Sequence, residues 1–340
     1  MNEITTIGID LAKNVFQVHG VDARGAVVVR RQLRRRAVLR YFETLPACLI
    51  GMEACATAHY WGRELRAMGH EVRLIPPAYV KPYVKRNKND AADAEAICEA
   101  VTRPSMRFVG IKTVEKQSIL SVHRARDLLV RQRTMLINSL RGLMAEFGVA
   151  EAQGRRGATR LIKIVGDETD ERVPALARRV LGSLVAQLHG TACQVRILDR
   201  EIAAWHRQSD VSRRLATIPG IGPVTATAIA ASVPDPSVFT SARQFSAWLG
   251  LVPRQYSTGG KLRLGGISKR GDGYLRRLLM TGATAALQHS KTVKTQPWVL
   301  GLLQRRPRKL VAVALANKMA RIAWAVMSQR TRYRPMPAAS

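Results

Sequence analysis

The order of elements in the first hundred residues limits most strongly what this chain can fold into. Three short runs rich in β-branched residues come first, at 4–11, 15–21 and 26–32. Lys13 and Asn14 separate the first two, and residues 22–25 separate the second and third. These are turn-forming residues of the kind that close hairpins. A helical stretch is then expected over 34–44, an apolar strand over 48–52, a helix over 58–68, a strand over 71–75 and a helix starting near Asn89. Hairpins give antiparallel neighbours, whereas strands joined through a helix pair in parallel, so the sheet must be mixed.

Three meandering strands followed by helix, strand, helix, strand, helix is the element order of an RNase H-like fold, α/β with a five-stranded mixed sheet. The chain then becomes helical over 114–147, where Leu120, Leu128, Leu129, Leu136, Leu140 and Leu143 form an apolar stripe between arginines. Residues 151–171 are Gly-rich, charged and loop-like, and a second long helix is expected over 174–208. Two long helices around an irregular insert suggest an antiparallel coiled hairpin, a spacer or dimerisation arm. Beyond Ser209, LATIPGIGPVTATAIAA has the order of a helix-hairpin-helix motif, with Gly220 and Gly222 in the turn. Such a turn frees backbone N–H groups at a helix start to hold a phosphate. A Gly- and Lys-rich loop over 253–273 leads into helices over 274–288 and 309–330. The expected organisation is therefore 1–112, an α/β catalytic domain; 113–208, a helical hairpin; and 209–340, a mainly helical C-terminal domain.

Fifty-five Lys and Arg against 24 Asp and Glu leave a formal charge of +31. A polyanion partner accounts for that surplus, because each neutralised phosphate releases condensed counterions. The basic residues are spread along the whole chain rather than flanking one amphipathic segment, which argues against a membrane partner. Near the C-terminus Lys318 and Arg321 interrupt the apolar stretch, so a buried helix is expected there and not a span. Cys48, Cys55, Cys98 and Cys193 show no C-x-x-C pair and no zinc spacing. Free thiols and a start without the layout of a signal peptide suggest a cytoplasmic protein, and a nucleic-acid partner would place it at the nucleoid.

Four acids stand out in a chain short of them. Asp10 closes the first strand, Glu53 follows the fourth, and Asp90 and Asp93 lie at i and i+3 on one helix face. In an RNase H-like sheet the first and fourth strands are neighbours, so these ends and the helix converge. Carboxylates packed together repel unless a cation neutralises them. Hard oxygen donors suit Mg²⁺, and two such ions can clamp the attacking and leaving oxygens of a phosphodiester. The plain alternative makes each acid a cap or turn residue, with Asp90 the N-cap or first-turn acid of its helix and Asp93 a solvated partner.

Ser257 precedes Thr258, Gly259, Gly260 and Lys261. Glycines let a backbone approach a phosphate, and Lys261, Arg263, Lys269 and Arg270 would neutralise it. Two roles fit the serine. It is a turn residue in a phosphate-gripping loop, or a nucleophile that attacks phosphorus and forms a phosphoserine. No histidine base lies nearby in sequence.

GIDLAKNVFQVHG, GMEACATAHYW, KNDAADAEAI, IPGIGPVTATAIAA and WLGLVPRQYSTGGKLRLGGISKRGDGYLRRLL together resemble the DEDD transposases of bacterial insertion sequences, the "one-ten" family with its Piv-type invertase relatives. The resemblance spans nearly the whole chain, with five motifs in the family's order. It implies that Asp10, Glu53, Asp90 and Asp93 are the metal-binding tetrad of a RuvC-like domain and that Ser257 is the nucleophile, with Thr258 the adjacent alternative. It further implies donor and target DNA as substrates, a structured bridge RNA as guide and a homo-oligomer up to a tetramer. Two other readings stay open: a metal-dependent junction nuclease without covalent serine chemistry, and a non-catalytic nucleic-acid-binding protein.

Overall fold

The computed structural model describes residues 3–85, 89–294 and 296–334. Lys88, the first residue of the KNDAADAEAI motif, lies outside the described residues. The chain divides into two compact units, Met1–Gln117 with Ala231–Phe245, and Ser118–Ala230 with Ser246–Ser340.

The first unit is built on a five-stranded sheet in the order β3-β2-β1-β4-β5. Its strands are β1 (Thr6–Asp10), β2 (Val15–Val21), β3 (Val27–Arg34), β4 (Leu49–Glu53) and β5 (Glu71–Ile75). β1, β2 and β3 pair antiparallel, while β1–β4 and β4–β5 pair parallel. This is the mixed sheet expected of a RuvC-like α/β domain. The helices are α1 (Val38–Glu43), α2 (Ala58–Ala67), α3 (Pro77–Val80) and α4 (Asp90–Val101). Side chains alternate between sheet faces. Ile7, Ile9, Phe16, Val18, Ile50 and Met52 join Phe42, Trp61 and Leu65 in one core. A smaller cluster holds Ile75 and Val80 against Ile97, Ala100 and Val101 of α4.

The third strand runs two residues further than its sequence suggests, to Arg34. Pairing with β2 continues to Val15↔Arg34, so Arg34, expected to open a helix, is held extended. A single 3₁₀ turn over Arg35–Ala37 then leads into α1. α3 and the 3₁₀ turn Lys81–Tyr83 were also not foreseen.

In the second unit α5 (Val114–Ala145) and α7 (Ala175–Gln208) are the two long helices. The stretch between them is not the loop its composition implies. It contains α6 (Arg155–Gly166), whose Ala158, Leu161 and Val165 are buried at helical spacing. Leu161 and Val165 join Leu140, Met144, Leu181 and Leu188 in one core. Gly157 is there because a Cβ would sit 1.8 Å from the Ala152 carbonyl oxygen, so backbone contact and not flexibility explains the glycine.

After α8 (Asp210–Leu215) a turn leads into α9 (Pro223–Ser232), and α10 (Ala242–Trp248) follows. The expected 253–273 loop is a short antiparallel hairpin of β6 (Pro253–Gln255) and β7 (Leu264–Ile267). α11 (Gly273–His289), α12 (Lys291–Lys294), α13 (Pro297–Arg305) and α14 (Arg308–Ser328) complete the chain. Among the described residues α14 alone is long and apolar enough to cross a membrane, yet half of its most apolar window is buried. Leu315, Ala316, Met319, Ala320 and Ala323 form that buried side, and α14 packs against α11.

Candidate active site

Asp10 ends β1, Glu53 ends β4, and Asp90 and Asp93 occupy the first turn of α4. α4 packs on β1, β2 and β4. Two glycines make that approach close. Gly8 and Gly51 are partners across the β1–β4 pair and lie two residues before Asp10 and Glu53, on the same face as those acids. A Cβ on Gly8 would stand 2.2 Å from the Ala94 carbonyl oxygen and 2.4 Å from the Cys98 nitrogen. One on Gly51 would stand 2.8 Å from Val101 Cβ. The helix backbone therefore rests directly on the strands, and its first turn is delivered beside Asp10.

Carboxylate oxygens of Asp10, Asp90 and Asp93 all lie within 4.8 Å of one another. Opposite ligands of a Mg²⁺ ion at about 2.0–2.1 Å are about 4.2 Å apart, and those of a larger cation are about 5 Å apart. Three hard oxygen donors at this spacing fit one divalent cation. Glu53 is not a member of that close group. Burial raises its carboxyl above the ordinary range, and the negative charges of Asp10 and Asp93 add to the effect. Asp90 does not cap its helix. Asn89 does, its Oδ1 accepting from the Ala91 N–H at 3.0 Å. The capping alternative is thereby removed for Asp90, and both acids sit where the helix dipole favours negative charge. Glu95 and Glu99, on the same helix, pair with Lys85 and Arg103.

Ser257 lies in the hairpin between β6 and β7 and is exposed. Its Oγ accepts from Gln255 Nε2 at 3.0 Å and from the Arg263 N–H at 3.3 Å. Two donors on one hydroxyl oxygen leave its own proton free to depart and favour the oxyanion. Gly259 and Gly260 have φ of +54° and +75°, so the turn needs residues without a Cβ. Lys261 and Arg263 are exposed beside them. Lys269 and Arg270 lie in a tighter turn, where a Cβ on Gly250 would meet the Arg270 carbonyl oxygen at 2.0 Å. Asp272 then caps α11, accepting from Tyr274 N at 2.8 Å and Leu275 N at 3.0 Å.

The two glycines of the helix-hairpin-helix turn differ in use. Gly220, at φ +89°, is pressed on α11: a Cβ added to its partner Gly282 would stand 2.0 Å from the Gly220 carbonyl oxygen. Gly222 has open space around it at the start of α9.

Two groups escaped notice in the sequence. Gln255 is one, since a short polar side chain two residues from a serine carries no signal until the hairpin forms. The other is His123, 1% exposed on α5. Thr227 Oγ1 lies 2.8 Å from the Pro223 carbonyl and donates to it, so it accepts from His123 Nε2 at 2.9 Å. The other ring nitrogen, Nδ1, then accepts from the Tyr274 hydroxyl at 2.9 Å. Burial, with Arg126 nearby, holds the imidazole down to about 4 and neutral. This chain of bonds ties the start of α11, just after the serine hairpin, to α9.

Residues 7–148 match the DEDD family of IS110 elements, described as Transposase. Residues 212–296 match the Transposase IS116/IS110/IS902 family. The chain is 53% identical over 335 residues, 98% of its length and 99% of the relative's, to a protein of Pseudomonas aeruginosa described as "Probable family 20 transposase". It is 43% identical over 334 residues (97% and 99%) to the transposase for insertion sequence element IS1328 of Yersinia enterocolitica. A more distant relative, 25% identical over 342 residues (96% of each chain), is the pilin gene-inverting protein of Moraxella bovis.

Proposed function

The chain belongs to the IS110 family of insertion-sequence transposases, and from that premise we propose that it cuts, exchanges and rejoins DNA strands with the four acids and Ser257 as its two reacting sites. Family membership makes it a DNA-recombining enzyme and implies divalent-metal use. The finer assignments are Asp10, Glu53, Asp90 and Asp93 as holders of Mg²⁺, two ions in all, and Ser257 as nucleophile. The observation that carries the metal assignment is the meeting of Asp10, Asp90 and Asp93 within 4.8 Å, from positions eighty residues apart in sequence, while the two donors on Ser257 Oγ support its role as nucleophile.

Bound Mg²⁺ would supply Lewis-acid stabilisation of charge on the reacting phosphate. The protein's own residues do the rest. Gln255 and the Arg263 N–H hold Ser257 Oγ, while Lys261 and Arg263 attract the phosphodiester. Oγ bonds to phosphorus as a strand oxygen leaves, and the serine proton ends on that leaving oxygen. The hydroxyl of an incoming strand then displaces the serine and returns its proton. One phosphoester bond is exchanged for another at each step, so no energy source is needed.

In this reading residues 1–112 form the metal-dependent part, 113–208 an assembly arm and 209–340 the serine-bearing part, working as a homo-oligomer up to a tetramer. The net charge of +31 supports simultaneous binding of donor DNA, target DNA and a structured bridge RNA at the nucleoid. Gly222, Gly259 and Gly260 would offer backbone N–H groups to phosphate, with Gly220 seating its turn, and Lys269 and Arg270 would add charge.

The test is recombination of donor and target plasmids in Mg²⁺, with and without the element's flanking transcript, comparing wild type, Asp10→Asn and Ser257→Ala. Loss of strand cleavage and of trapped protein–DNA adduct in both variants is expected. Cleavage that survives Ser257→Ala would instead favour a metal-dependent junction nuclease, and cleavage that survives Asp10→Asn would remove the metal site from the reaction.

A further inference from the structure

The sheet register places a row of unneutralised polar groups beside the acids. On the α4 face of the sheet, Gly8 pairs with His19, and His19 with Arg30. This row is closed: α4 rests on Gly8, His19 is buried, and Arg30 reaches Glu95 of α4 at 3.8 Å. The next row on the same face is Asp10↔Gln17↔Gln32, followed by Val15↔Arg34. It lies at the end of the sheet where α4 begins, and it is open. Gln17 is half-buried, and Gln32 and Arg34 are exposed. Among the described residues none of these three side chains has a hydrogen-bond or ion-pair partner. Between residues 11 and 42 the only acid is Asp22, at the opposite end of the hairpin and engaged with Arg24 N and Ala26 N.

We infer that Gln17, Gln32 and Arg34 form a track for the sugar–phosphate backbone of the DNA strand that passes the carboxylates. The inference rests on the proposed role of the acids and adds a binding surface on the first unit. Adjacent strands are about 4.8 Å apart, so Gln32 stands roughly 10 Å from Asp10 along the row. At about 3.4 Å per nucleotide of one stacked strand, that covers about three nucleotides. Amide N–H groups and a guanidinium bind phosphate oxygens without regard to base, as a strand-exchanging enzyme needs on the flank of a cut. The ligand is DNA rather than RNA because the row is continuous with the acids at which DNA is cut.

The test uses the full chain and a supercoiled plasmid carrying the insertion sequence that encodes it, with its transcript, in Mg²⁺. Arg34→Ala should cut kcat/KM for cleavage about tenfold or more, as expected for a lost charge-assisted phosphate contact. Gln32→Glu should do the same, and Arg34→Lys should recover most of the loss. Mn²⁺ binding followed by electron paramagnetic resonance should be unchanged in all three. For a 30-nucleotide single-stranded DNA, Arg34→Ala should lower the slope of log affinity against log salt by about 0.7. The control is Arg31→Ala, on the opposite face of the same strand over the Tyr41 ring, which should behave as wild type. Equal losses in Arg31→Ala and Arg34→Ala would overturn the track, as would loss of RNA binding with DNA cleavage intact. Asp10→Asn in the same assay separates the two ideas: an active Asp10→Asn refutes the role of the acids, whereas an inactive one beside a fully active Arg34→Ala refutes the track alone.

Discussion

Replacing Gly8 by alanine would put one methyl group where α4 meets β1. Its carbon would begin 2.2 Å from the Ala94 carbonyl oxygen, 2.4 Å from Cys98 N and 2.8 Å from Cys98 Cα. All three are helix backbone, so no side chain can swing away. Restoring an ordinary contact of roughly 3.2 Å requires α4 to lift by about 1 Å, and overpacking of this kind costs about 1–3 kcal/mol. Asp90 and Asp93 would move with the helix, whereas Asp10 stays on the strand. A misplacement of about 1 Å at a reacting site can cost about 100-fold in rate. The assay is plasmid cleavage in Mg²⁺, with Mn²⁺ affinity and thermal unfolding measured on the same preparations. Gly8→Ala should fold with a lowered Tm, bind Mn²⁺ more weakly and cleave about 100-fold more slowly. Gly20→Ala is the control, since a Cβ there meets nothing closer than 3.5 Å. A Gly8→Ala protein that cleaves within about threefold of wild type would refute the claim that this glycine sets the acid geometry.

Two further outcomes follow from buried and paired groups. His123 is held down to about 4 by burial, against about 6.5 when unfolded, so the unfolded chain binds the extra proton between those values. Its contribution is complete above about pH 6.5 and is lost as pH falls towards 4, about 2 kcal/mol between pH 7.5 and 5. Urea midpoints should show that part of the pH slope vanish in His123→Gln, and an unchanged slope would refute it. Gln255→Ala should slow formation of the protein–DNA adduct about tenfold, the worth of one hydrogen bond, and move its pH–rate profile to higher pH. A slower reaction with an unmoved profile would mean that Gln255 only shapes the hairpin.

The sheet was legible because its strands alternate and its turns carry Asn, Asp and Gly, and because Asp10 and Glu53 fall at strand ends. Arg34 is extended and not the first helical residue its sequence suggests, because arginine is a good helix former and pairing with Val15 is a tertiary fact. α6 was hidden by the glycine and arginines of GRRGATR, although Leu161 and Val165 already had helical spacing. The convergence of the acids could be anticipated from topology, but not that Glu53 would lie outside the tight group of three. Nothing local announces His123. Its partners Thr227 and Tyr274 are over one hundred residues away, and only packing brings a buried ring to both.

A hydroxyl oxygen cradled by donors from its own hairpin has a consequence for the direction of the reaction. Whatever steadies negative charge on Ser257 Oγ as it approaches phosphorus steadies the same charge when the oxygen is expelled. In the proposed chemistry, opening and resealing would therefore be eased alike, and Gln255 could not bias the outcome towards broken or joined DNA. The bias must come from which strand end is waiting when the ester reopens.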